Sequence, residues 1–392
     1  MRLRFSVRSA AVMTVGVGML VSCSSESTPV ASTQTAPPAS TTTRAADTPV
    51  AEPLPPVDGC IAFVEGLTER QRLAQLLTVG VSGTQDAVQI MSTEQVGGIF
   101  VGSWTDESML GNREVPQVLD ASAVAPMVTI DEEGGRVSRV ADLLGEAPSA
   151  RVLAQTMSVD EAYQEALLRG RGLKDLGVTV DFAPVVDVSA QPDDSVIGDR
   201  SFSDDPQVVI EYAGAYARGL EDAGIKPVIK HFPGHGSGSG DSHTGAVTTP
   251  SLDELKTKDL LPFAALNSAG TGVMVGHLDV PGLTDPGVPA SISPAAMALL
   301  RDGVGYGAAP FEGPIFTDDL SGMAAITARL GIVDAVEAAL VAGADVALWL
   351  TTDQVPTVLD NLEDAVATGR LDAAQVDEAA ATVARFKGAC GA

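Results

Sequence analysis

KPVIKHF, residues 226–232, is a short apolar run that ends in two residues capable of chemistry, Lys230 and His231. Apolar runs of this length that contain β-branched residues are typical of buried strands. Seven more runs of the same character occur at 76–81, 97–102, 126–133, 178–188, 272–278, 314–320 and 344–350. The chain therefore carries eight strand candidates, of which the run at 226–232 is the fifth.

Helical patterns separate most of these runs, among them 160–176, 206–223, 252–268 and 334–342. Strands that alternate with helices are typical of parallel α/β folds, and eight such units suggest a closed barrel. The sequence therefore predicts one α/β domain that contains a single (β/α)8 barrel of the TIM type. A doubly wound open sheet is the structural alternative.

Polar residues stand at the C-terminal ends of five successive runs. In a closed parallel barrel these ends converge on one face, which is where active sites lie. Any one of these residues could instead cap a helix or form a turn. Five in succession favour a functional site, which would contain Asp131, Asp187, Lys230 with His231, His277 and Asp318.

The N-terminus has the pattern of an export signal. Arginines at positions 2, 4 and 8 precede an apolar stretch at 10–21, which is too short to span a bilayer. The stretch ends in Leu20-Val21-Ser22-Cys23, which resembles a bacterial lipobox, the motif whose cysteine is lipidated. We expect removal of residues 1–22 and anchoring through Cys23 on the outer side of the cell membrane. The alternative is an ordinary signal peptide or an anchor with a chance cysteine.

Residues 23–58 are rich in Ser, Thr, Pro and Ala, which predicts a disordered tether. The folded domain is then expected over 59–392, and a single tethered domain suggests a monomer. Cys60 and Cys390 stand near the two ends of this domain. An exported protein meets oxidising surroundings, so these cysteines are predicted to form a disulfide; two unpaired thiols are the alternative.

The chain of 392 residues has 24 basic and 51 acidic residues, which gives a net charge of −27. A protein this acidic repels phosphate backbones, so nucleic acid is excluded as an expected partner. No block of like charges stands out, and the acidity is attributed to the solvated surface.

KHFPGHGSGSGDSHTG, residues 230–245, holds three of the chain's four histidines. The spacing does not favour a metal site, because Pro233 and the glycines prevent two histidines from sharing a helix face at i, i+4. A phosphate-binding loop is equally disfavoured, since the GxxxxGK[ST] pattern is missing. The segment therefore predicts neither a metal site nor a phosphate-binding loop.

Acid–base chemistry is the remaining interpretation of this segment, and it rests on Asp241-Ser242-His243. In an extended segment, residues i and i+2 point to the same side, so the carboxylate could hold the imidazole and stabilise its charged form. Such a histidine can exchange a proton near neutral pH. A surface turn that happens to contain Asp and His is the alternative.

Several motifs, in order along the chain, resemble those of glycoside hydrolase family 3, in its β-N-acetylglucosaminidase branch. They are DEEGGRV (131–137), FAPVVDV (182–188), GDRSF (198–202), KHFPGHG (230–236) with DSH (241–243), PAS (289–291) and TDDLSGM (317–323). The resemblance extends over residues 60–390. It implies a (β/α)8 barrel and a retaining hydrolase that acts by double displacement on terminal N-acetylglucosamine, and it implies no metal or organic cofactor.

The resemblance also implies roles for individual residues. Asp318 corresponds to the family's nucleophile, and His243 to its general acid/base, with Asp241 in support. The residues expected to bind the terminal sugar are Asp131, Arg200, Lys230 and His231, with Asp187 and Arg136 as further candidates. Arg136 is either a sugar ligand or an ion-pair partner, Asp319 is expected to be structural, and His235 and His277 are either supporting or packing residues. Glu132 stands where the family often has Gln and would add charge near the site.

Together these features predict an exo-acting β-N-acetylhexosaminidase outside the cytoplasmic membrane, which acts on cell-wall glycans that contain N-acetylglucosamine. A phosphorylase on the same fold is a close variant, because a histidine acid/base leaves room for an anionic acceptor. A catalytically silent sugar-binding lipoprotein is the alternative from another class. The presence of Asp318 together with the Asp241–His243 pair argues against it, since binding alone requires neither.

Overall fold

The computed structural model describes residues 59–268 and 270–390. The predicted signal peptide at 1–22, the lipobox Cys23 and the tether lie outside the described residues. Within the described ranges, no helix is both long enough and apolar enough to cross a membrane.

Ten strands form two parallel sheets in the described part of the chain. In chain order they are β1 Leu77–Gly80, β2 Gly98–Val101, β3 Met127–Ile130, β4 Val180–Asp181, β5 Lys226–Phe232, β6 Val247–Thr248, β7 Gly272–Val275, β8 Leu278–Asp279, β9 Ile315–Asp319 and β10 Val346–Trp349. Eight of them close a barrel in the order β1-β2-β3-β4-β5-β7-β9-β10, with β10 paired to β1. The predicted closed barrel is thus confirmed and the open sheet was wrong. The other two, β6 and β8, pair with each other outside the barrel.

Helices follow or precede each barrel strand. They are α1 Gly59–Glu65, α2 Glu69–Ala74, α3 Thr84–Thr93, α4 Ser108–Gly111, α5 Val115–Leu119, α6 Ala141–Leu144, α7 Ala150–Thr156, α8 Val159–Asp175, α9 Pro206–Ala223, α10 Leu252–Leu255, α11 Leu260–Ala265, α12 Pro294–Asp302, α13 Ala324–Thr327, α14 Ile332–Ala342, α15 Val355–Thr368 and α16 Ala373–Phe386. Two 3₁₀ turns lie at Gly198–Arg200 and Ala290–Ile292. Because the helices cover the outside of the sheet, β1, β2, β3, β7 and β10 are buried along their whole length.

Local sequence signals fix several helix ends. Before α8, the side chain of Ser158 accepts the N–H of Glu161, whose carboxylate in turn accepts the N–H of Ser158. Asp205 caps α9, Pro206 occupies its first position, and the helix ends at Gly224 with φ 84°. A left-handed residue after a helix is most easily a glycine. These signals account for the good agreement between predicted and observed bounds of α8 and α9.

The helix predicted over 252–268 is in fact two short helices, α10 and α11. The reason is Pro262, which has no N–H to donate to the carbonyl of Lys258 and whose ring would clash with that carbonyl in a continuous helix. The proline is accommodated within the first turn of α11, where its missing N–H costs little. The periodicity was correct for both pieces, but the continuous helix was wrong.

Aromatic rings fill part of the barrel interior. The ring of Phe182 stacks against Phe100 at a centroid distance of 5.8 Å and meets the edge of Phe316 at 5.6 Å. All three side chains are at most 3% exposed. The barrel centre is therefore a packed core, and open space is left at its rim.

A disulfide joins Cys60 of α1 to Cys390, which follows α16, with the two Cα atoms 4.8 Å apart. The pairing predicted from the sequence is present in the structure. The bond closes a loop with a sequence separation of 330 residues. It constrains the unfolded chain strongly, because the entropy of loop closure grows with loop length.

Replacing both cysteines, as Cys60→Ser with Cys390→Ser, is expected to lower the free energy of unfolding by about 2–5 kcal/mol. The bridge joins α1 to the region after α16 and involves none of the strand ends that carry the polar residues, so the turnover number should be unchanged below the melting temperature. Denaturant unfolding and steady-state kinetics on the same preparations measure both quantities. A fall in turnover that matches the loss of stability would contradict a purely stabilising role.

Candidate active site

A cavity of about 310 Å³ opens at the C-terminal ends of the barrel strands. Its lining contains most of the polar residues that the sequence placed at strand ends. The chemically relevant members are Asp131, Glu133, Arg139, Arg200, Lys230, His231, His235, His243, Asp318 and Asp319, and the apolar wall includes Trp104, Val137, Met274, Met323 and Leu350. The predicted convergence of these residues on one face of the barrel is therefore observed.

Lys230 is the centre of a buried ionic cluster in this cavity. Its Nζ lies 2.5 Å from Oδ1 of Asp131 and 2.6 Å from Oε1 of Glu133. Arg200 donates to both oxygens of Glu133, each at 2.8 Å. Burial alone would lower the pKa of Lys230, but the two carboxylates outweigh it and raise the pKa above its usual value. The cluster therefore keeps a fixed cation at the floor of the cavity.

Both Lys230 and His231 line the cavity, although neighbouring residues of a regular strand point to opposite faces. The pairing of β5 with β7 explains this, because the register shifts between Lys230 and Phe232. Such an irregularity re-aims side chains locally and is frequent beside active sites. Strand β5 can in this way present two adjacent polar groups to one ligand.

Glu133 is a site residue that the sequence analysis missed. Burial opposes its ionisation, but Arg200 and Lys230 hold its pKa below the usual range, so it is a permanent anion. Two left-handed glycines, Gly134 and Gly135, turn the chain back directly after it; a Cβ on Gly134 would lie 2.3 Å from the carbonyl oxygen of Pro148. The signal was present in the sequence, since Glu133 is two residues from Asp131 and alternation places both on one side.

Glu132 points the other way, which corrects the expectation that it adds charge to the site. The residue is completely buried, and Arg169 of α8 donates to its Oε1 from Nε at 3.0 Å and from Nη2 at 2.5 Å. The hydroxyl of Ser138 and the N–H of Arg139 also donate to this carboxylate. Glu132 therefore fixes the turn that follows β3, and its carboxylate is fully used there.

His231 is held in one tautomer by its two neighbours. Its Nδ1 lies 2.7 Å from Oδ2 of Asp187, and its Nε2 lies 3.3 Å from Nη2 of Arg200. A carboxylate only accepts and a guanidinium only donates, so Nδ1 carries the proton and Nε2 carries the lone pair. This arrangement orients the ring toward the cavity.

Asp187 is not placed to touch a ligand, contrary to its prediction as a substrate-binding residue. It is 0% exposed and does not line the cavity. Its Oδ1 accepts the N–H of His235 at 2.6 Å, and its Oδ2 binds the His231 ring. Burial opposes ionisation of Asp187, but these two histidines lower its pKa below the usual value. Asp187 therefore positions His231 from behind.

Arg136 also lies outside the cavity. Its Nη2 donates to the carbonyls of Ser195, Val196 and Ile197, and its Nε lies 2.9 Å from Asp199. Of the two roles that the sequence left open, the ion pair is observed, and the side chain is not part of the cavity lining. Arg136 stabilises the loop that leads to Arg200.

Asp259 lies close to Asp187 but has a different charge state. Its Oδ1 has no hydrogen-bond partner among the described residues, and the residue is 3% exposed. Burial, followed by the charge of Asp187, raises the pKa of Asp259 to about 7. The folded protein thus binds a proton between about pH 4 and 7 that the unfolded chain releases.

Asp259→Asn should therefore become relatively more stable as the pH rises. In the unmodified protein, the contribution of protonated Asp259 is present at low pH and is lost as the pH rises through about 7. The difference in unfolding free energy between variant and unmodified protein should shift by about 2–3 kcal/mol in favour of the variant from pH 5 to pH 8. Urea unfolding at both pH values measures it. A difference that does not change with pH would show that Asp259 is ionised throughout.

Asp318 and Asp319 are neighbouring carboxylates of β9 with different surroundings. Asp319 accepts from the N–H and hydroxyl of Ser321, each at 2.8 Å, and from the N–H of Gly322 at 2.7 Å. Burial is the main cause that raises its pKa. These contacts give Asp319 a structural role in the turn after β9, as the sequence suggested.

Asp318 lines the cavity, is 8% exposed, and accepts the N–H of Asp319 at 2.9 Å. Burial opposes its ionisation, but the hydrogen bond from this N–H and the positive charge of Lys230 lower the pKa of Asp318 below its usual value. A buried carboxylate that stays ionised and faces a cavity is suited to nucleophilic attack.

His277 supports this strand end. Its Nε2 lies 2.7 Å from the carbonyl oxygen of Asp319 and its Nδ1 lies 2.6 Å from the hydroxyl of Ser291. The carbonyl can only accept, so Nε2–H donates to it and Nδ1 accepts from Ser291. Burial lowers the pKa of His277 and keeps it neutral. The Ser of the PAS motif thus orients a histidine that holds the main chain beside Asp318.

His243 and Asp241 form the predicted pair, although the local geometry differs from the expectation. Residues 242–244 form a turn rather than an extended segment. Oδ1 of Asp241 accepts both the N–H of His243 at 2.9 Å and its ring Nδ1 at 2.7 Å. Nδ1 therefore carries a proton, which leaves Nε2 available for exchange with a ligand.

The loop that carries His243 is anchored at its centre. Ser242 is 3% exposed, its carbonyl accepts the N–H of Ala325 at 3.1 Å, and its hydroxyl lies 3.5 Å from Sδ of Met323. His243 itself has 59% of its side chain exposed at the cavity mouth. The loop is thus attached to the segment that follows the strand of Asp318, and its free glycines, Gly240 and Gly245, lie in open space.

The cavity therefore combines an ionised buried carboxylate, a carboxylate-supported imidazole and a rigid ionic floor. Within residues 59–268 and 270–390, no group of three or more His, Cys, Asp or Glu side chains is arranged to hold a metal ion. The arrangement is suited to nucleophilic displacement with proton transfer at the mouth, on a neutral ligand with several hydroxyl groups held by the floor.

Comparison with known proteins agrees with this arrangement. The model of the Glycosyl hydrolase family 3 N terminal domain matches residues 68–386. The beta-hexosaminidase LpqI of Mycobacterium tuberculosis is 51% identical over 386 residues, 97% of this chain and 97% of that protein. The solved structure of M. tuberculosis LpqI has a TM-score of 0.83 and 53% identity, over 84% of this chain and 96% of its own.

A second solved structure is a family 3 glycosyl hydrolase from Mycobacterium smegmatis, with a TM-score of 0.81 and 57% identity, over 83% of this chain and 98% of its own. The family match extends over most of the chain and coincides with the barrel that carries Asp318 and His243. The chain therefore belongs to glycosyl hydrolase family 3.

Proposed function

We propose that the protein is a retaining exo-β-N-acetylhexosaminidase that removes terminal N-acetylglucosamine from cell-wall glycan fragments. The observation that carries the proposal is that Asp318, ionised in a buried cavity, and His243, paired with Asp241 at the mouth, line the same space. Its relatives with the name beta-hexosaminidase support the substrate class.

Asp318 attacks C1 of the terminal sugar and forms a covalent glycosyl ester, while the bond from C1 to the leaving oxygen breaks. His243 gives the leaving oxygen a proton through Nε2. In the second step His243 takes a proton from water, which attacks C1 and releases Asp318. The two inversions leave the configuration at C1 unchanged.

The buried floor explains why the enzyme acts from the chain end. Asp131, Lys230 and the Arg200–Glu133 pair present charged hydrogen-bonding groups to sugar hydroxyls. The cavity of about 310 Å³ is at the lower end of the size of small-ligand sites, which suits one sugar ring rather than an internal segment of a polymer. The non-reducing terminal sugar thus enters first, and the rest of the glycan extends toward solvent.

The proposal places the enzyme outside the cytoplasmic membrane, on a lipid attached to Cys23. It rests on the lipobox at 20–23 and on the lack of apolar periodicity over residues 23–58. Mass spectrometry of the membrane fraction tests it, since the mature N-terminus should be an acylated Cys23. A free N-terminus at any other residue would contradict it.

The activity is tested with an aryl β-N-acetylglucosaminide, with and without phosphate, while the first-formed anomer is followed by NMR. Release of β-N-acetylglucosamine, independent of phosphate and of chelator, is expected. Sugar 1-phosphate as the main product would favour a phosphorylase. Sugar binding without turnover would favour a binding protein, and the α-anomer as first product would exclude a retaining mechanism.

A further inference from the structure

Trp104 is the most exposed of the Phe, Tyr and Trp side chains within residues 59–268 and 270–390. It is 44% exposed, whereas the other tryptophan of the chain, Trp349, is 1% exposed. An exposed indole leaves a large apolar surface in contact with water, which a ligand can cover. Trp104 also lines the same cavity as Asp318 and His243. Its exposure therefore coincides with the active site.

The turn that carries Trp104 is rigid. The hydroxyl of the buried Thr105 accepts the N–H of Gly102 at 3.0 Å and donates to the carbonyl of Val81 at 2.7 Å. The N–H of Thr105 also donates to the carbonyl of Gly102 at 3.1 Å. Thr105 is 6% exposed, so these bonds are protected from water. The tryptophan is thus mounted on a loop that is braced against β1.

One side of the indole is packed and the rest is open. Its six-membered ring lies on Gly102, where a Cβ would come within 2.3–2.6 Å of the ring atoms Cη2, Cζ3 and Cζ2. Glycine is therefore required at this position by the close approach of the ring. Phe100 contacts the indole at a centroid distance of 5.9 Å and an interplanar angle of 51°. The indole is held in place at the cavity rim with apolar surface left for a ligand.

We propose that Trp104 is the stacking platform for the sugar ring on the leaving-group side of the scissile bond; this inference rests on the proposed hydrolase function. The buried floor at Lys230 holds the terminal sugar, so the leaving group extends toward the mouth, where His243 and Trp104 are the exposed lining residues. A β-linked pyranose presents a face of C–H groups, which packs on an indole. Trp104 thereby selects substrates whose leaving group is a sugar.

The test compares Trp104→Ala, Trp104→Phe and the unmodified full chain on two substrates. One is the β-1,4-linked disaccharide of N-acetylglucosamine, and the other is N-acetylglucosaminyl β-fluoride, whose leaving group has no ring. Trp104→Ala should lower kcat/KM for the disaccharide about tenfold more than for the fluoride, and Trp104→Phe should recover most of that difference. Leu168→Ala is the matched control, since Leu168 is 68% exposed on α8 and is not part of the cavity lining; it should leave the ratio unchanged.

Equal losses on both substrates would overturn the proposal, because Trp104 would then act on the terminal sugar or on the shape of the site. No loss on either substrate would overturn it as well. A binding measurement distinguishes failure of the Trp104 proposal from failure of the proposed activity. In the Asp318→Asn protein, the further change Trp104→Ala should weaken binding of the disaccharide about tenfold and binding of the monosaccharide much less, as measured by calorimetry. Binding of neither sugar to the Asp318→Asn protein would contradict the proposed function itself.

Discussion

Asp318→Asn is expected to lower kcat/KM on an aryl β-N-acetylglucosaminide by about 10³-fold or more, with little change in stability. The carboxylate is the group that would form the covalent intermediate, and an amide cannot replace it as a nucleophile. The amide is nearly the same size, and its oxygen can still accept the N–H of Asp319, which Oδ1 accepts at 2.9 Å. Steady-state kinetics with thermal unfolding on the same samples measures both effects.

Asp319→Asn is the matched control for this prediction, because it changes the adjacent carboxylate of the same strand. Asp319 uses both oxygens on Ser321 and Gly322, so its replacement should chiefly cost stability. We expect the loss in kcat/KM to be at least tenfold smaller than for Asp318→Asn. A larger loss for Asp319→Asn than for Asp318→Asn would identify Asp319 as the nucleophile and Asp318 as the structural carboxylate.

Azide should restore turnover in Asp318→Ala and give the α-glycosyl azide, since a single displacement inverts the configuration at C1.

The barrel could be predicted from the sequence because its strands are buried on both faces and stand out as continuous apolar runs. The convergence of the polar strand ends at the cavity could also be predicted, because the C-terminal ends of all strands in a closed parallel barrel lie on one face. The prediction of one continuous helix over 252–268 was wrong at Pro262, where a local backbone constraint outweighs the helical periodicity of the apolar residues. Strands, whose positions depend on burial of a whole apolar run, were thus predicted well. The break between α10 and α11, which depends on the missing N–H of one proline, was not.

The site was predicted less completely than the fold, and the errors have a common cause. Asp187 and Arg136 stand in the expected motifs, but their side chains are used by His231 and by the 195–199 loop. A one-dimensional motif does not separate a residue that touches a ligand from one that orients it. Glu133 could have been found, since strand alternation places it beside Asp131 and places Glu132 on the opposite side.

Trp104 could not have been found from the sequence. It lies in a loop without a recognisable motif, and its importance depends on a glycine two residues earlier that lets the indole lie flat. The Asp241–His243 contact was predicted from an extended geometry, whereas a turn produces it. The residue types were sufficient to predict an Asp–His contact, but their spacing did not specify the backbone conformation that produces it.

His243→Ala is expected to lower turnover by about 10²–10⁴-fold for a sugar leaving group and much less for a 2,4-dinitrophenyl leaving group. A poor leaving group needs a proton, whereas dinitrophenolate departs without one. The same variant should lose the pH dependence that belongs to the acid/base, because Nε2 of this imidazole is the group left free to exchange protons.

Asp241→Asn is the graded control for His243→Ala, and it separates proton transfer from loop structure. Burial opposes ionisation of Asp241, but its hydrogen bonds from His243 lower its pKa, so the carboxylate is charged at neutral pH and lies against Nδ1 of the imidazole. In Asp241→Asn the amide oxygen should still accept the N–H of His243 but carries no negative charge. We therefore expect a smaller loss of turnover, of about tenfold.

Azide should rescue the turnover of His243→Ala and give the β-glycosyl azide, because azide then attacks the glycosyl-enzyme. This configuration is opposite to that of the product from Asp318→Ala. Equal losses for all leaving groups, with an unchanged pH profile, would show that His243 only shapes the loop. The base would then have to be sought among the other groups that line the cavity.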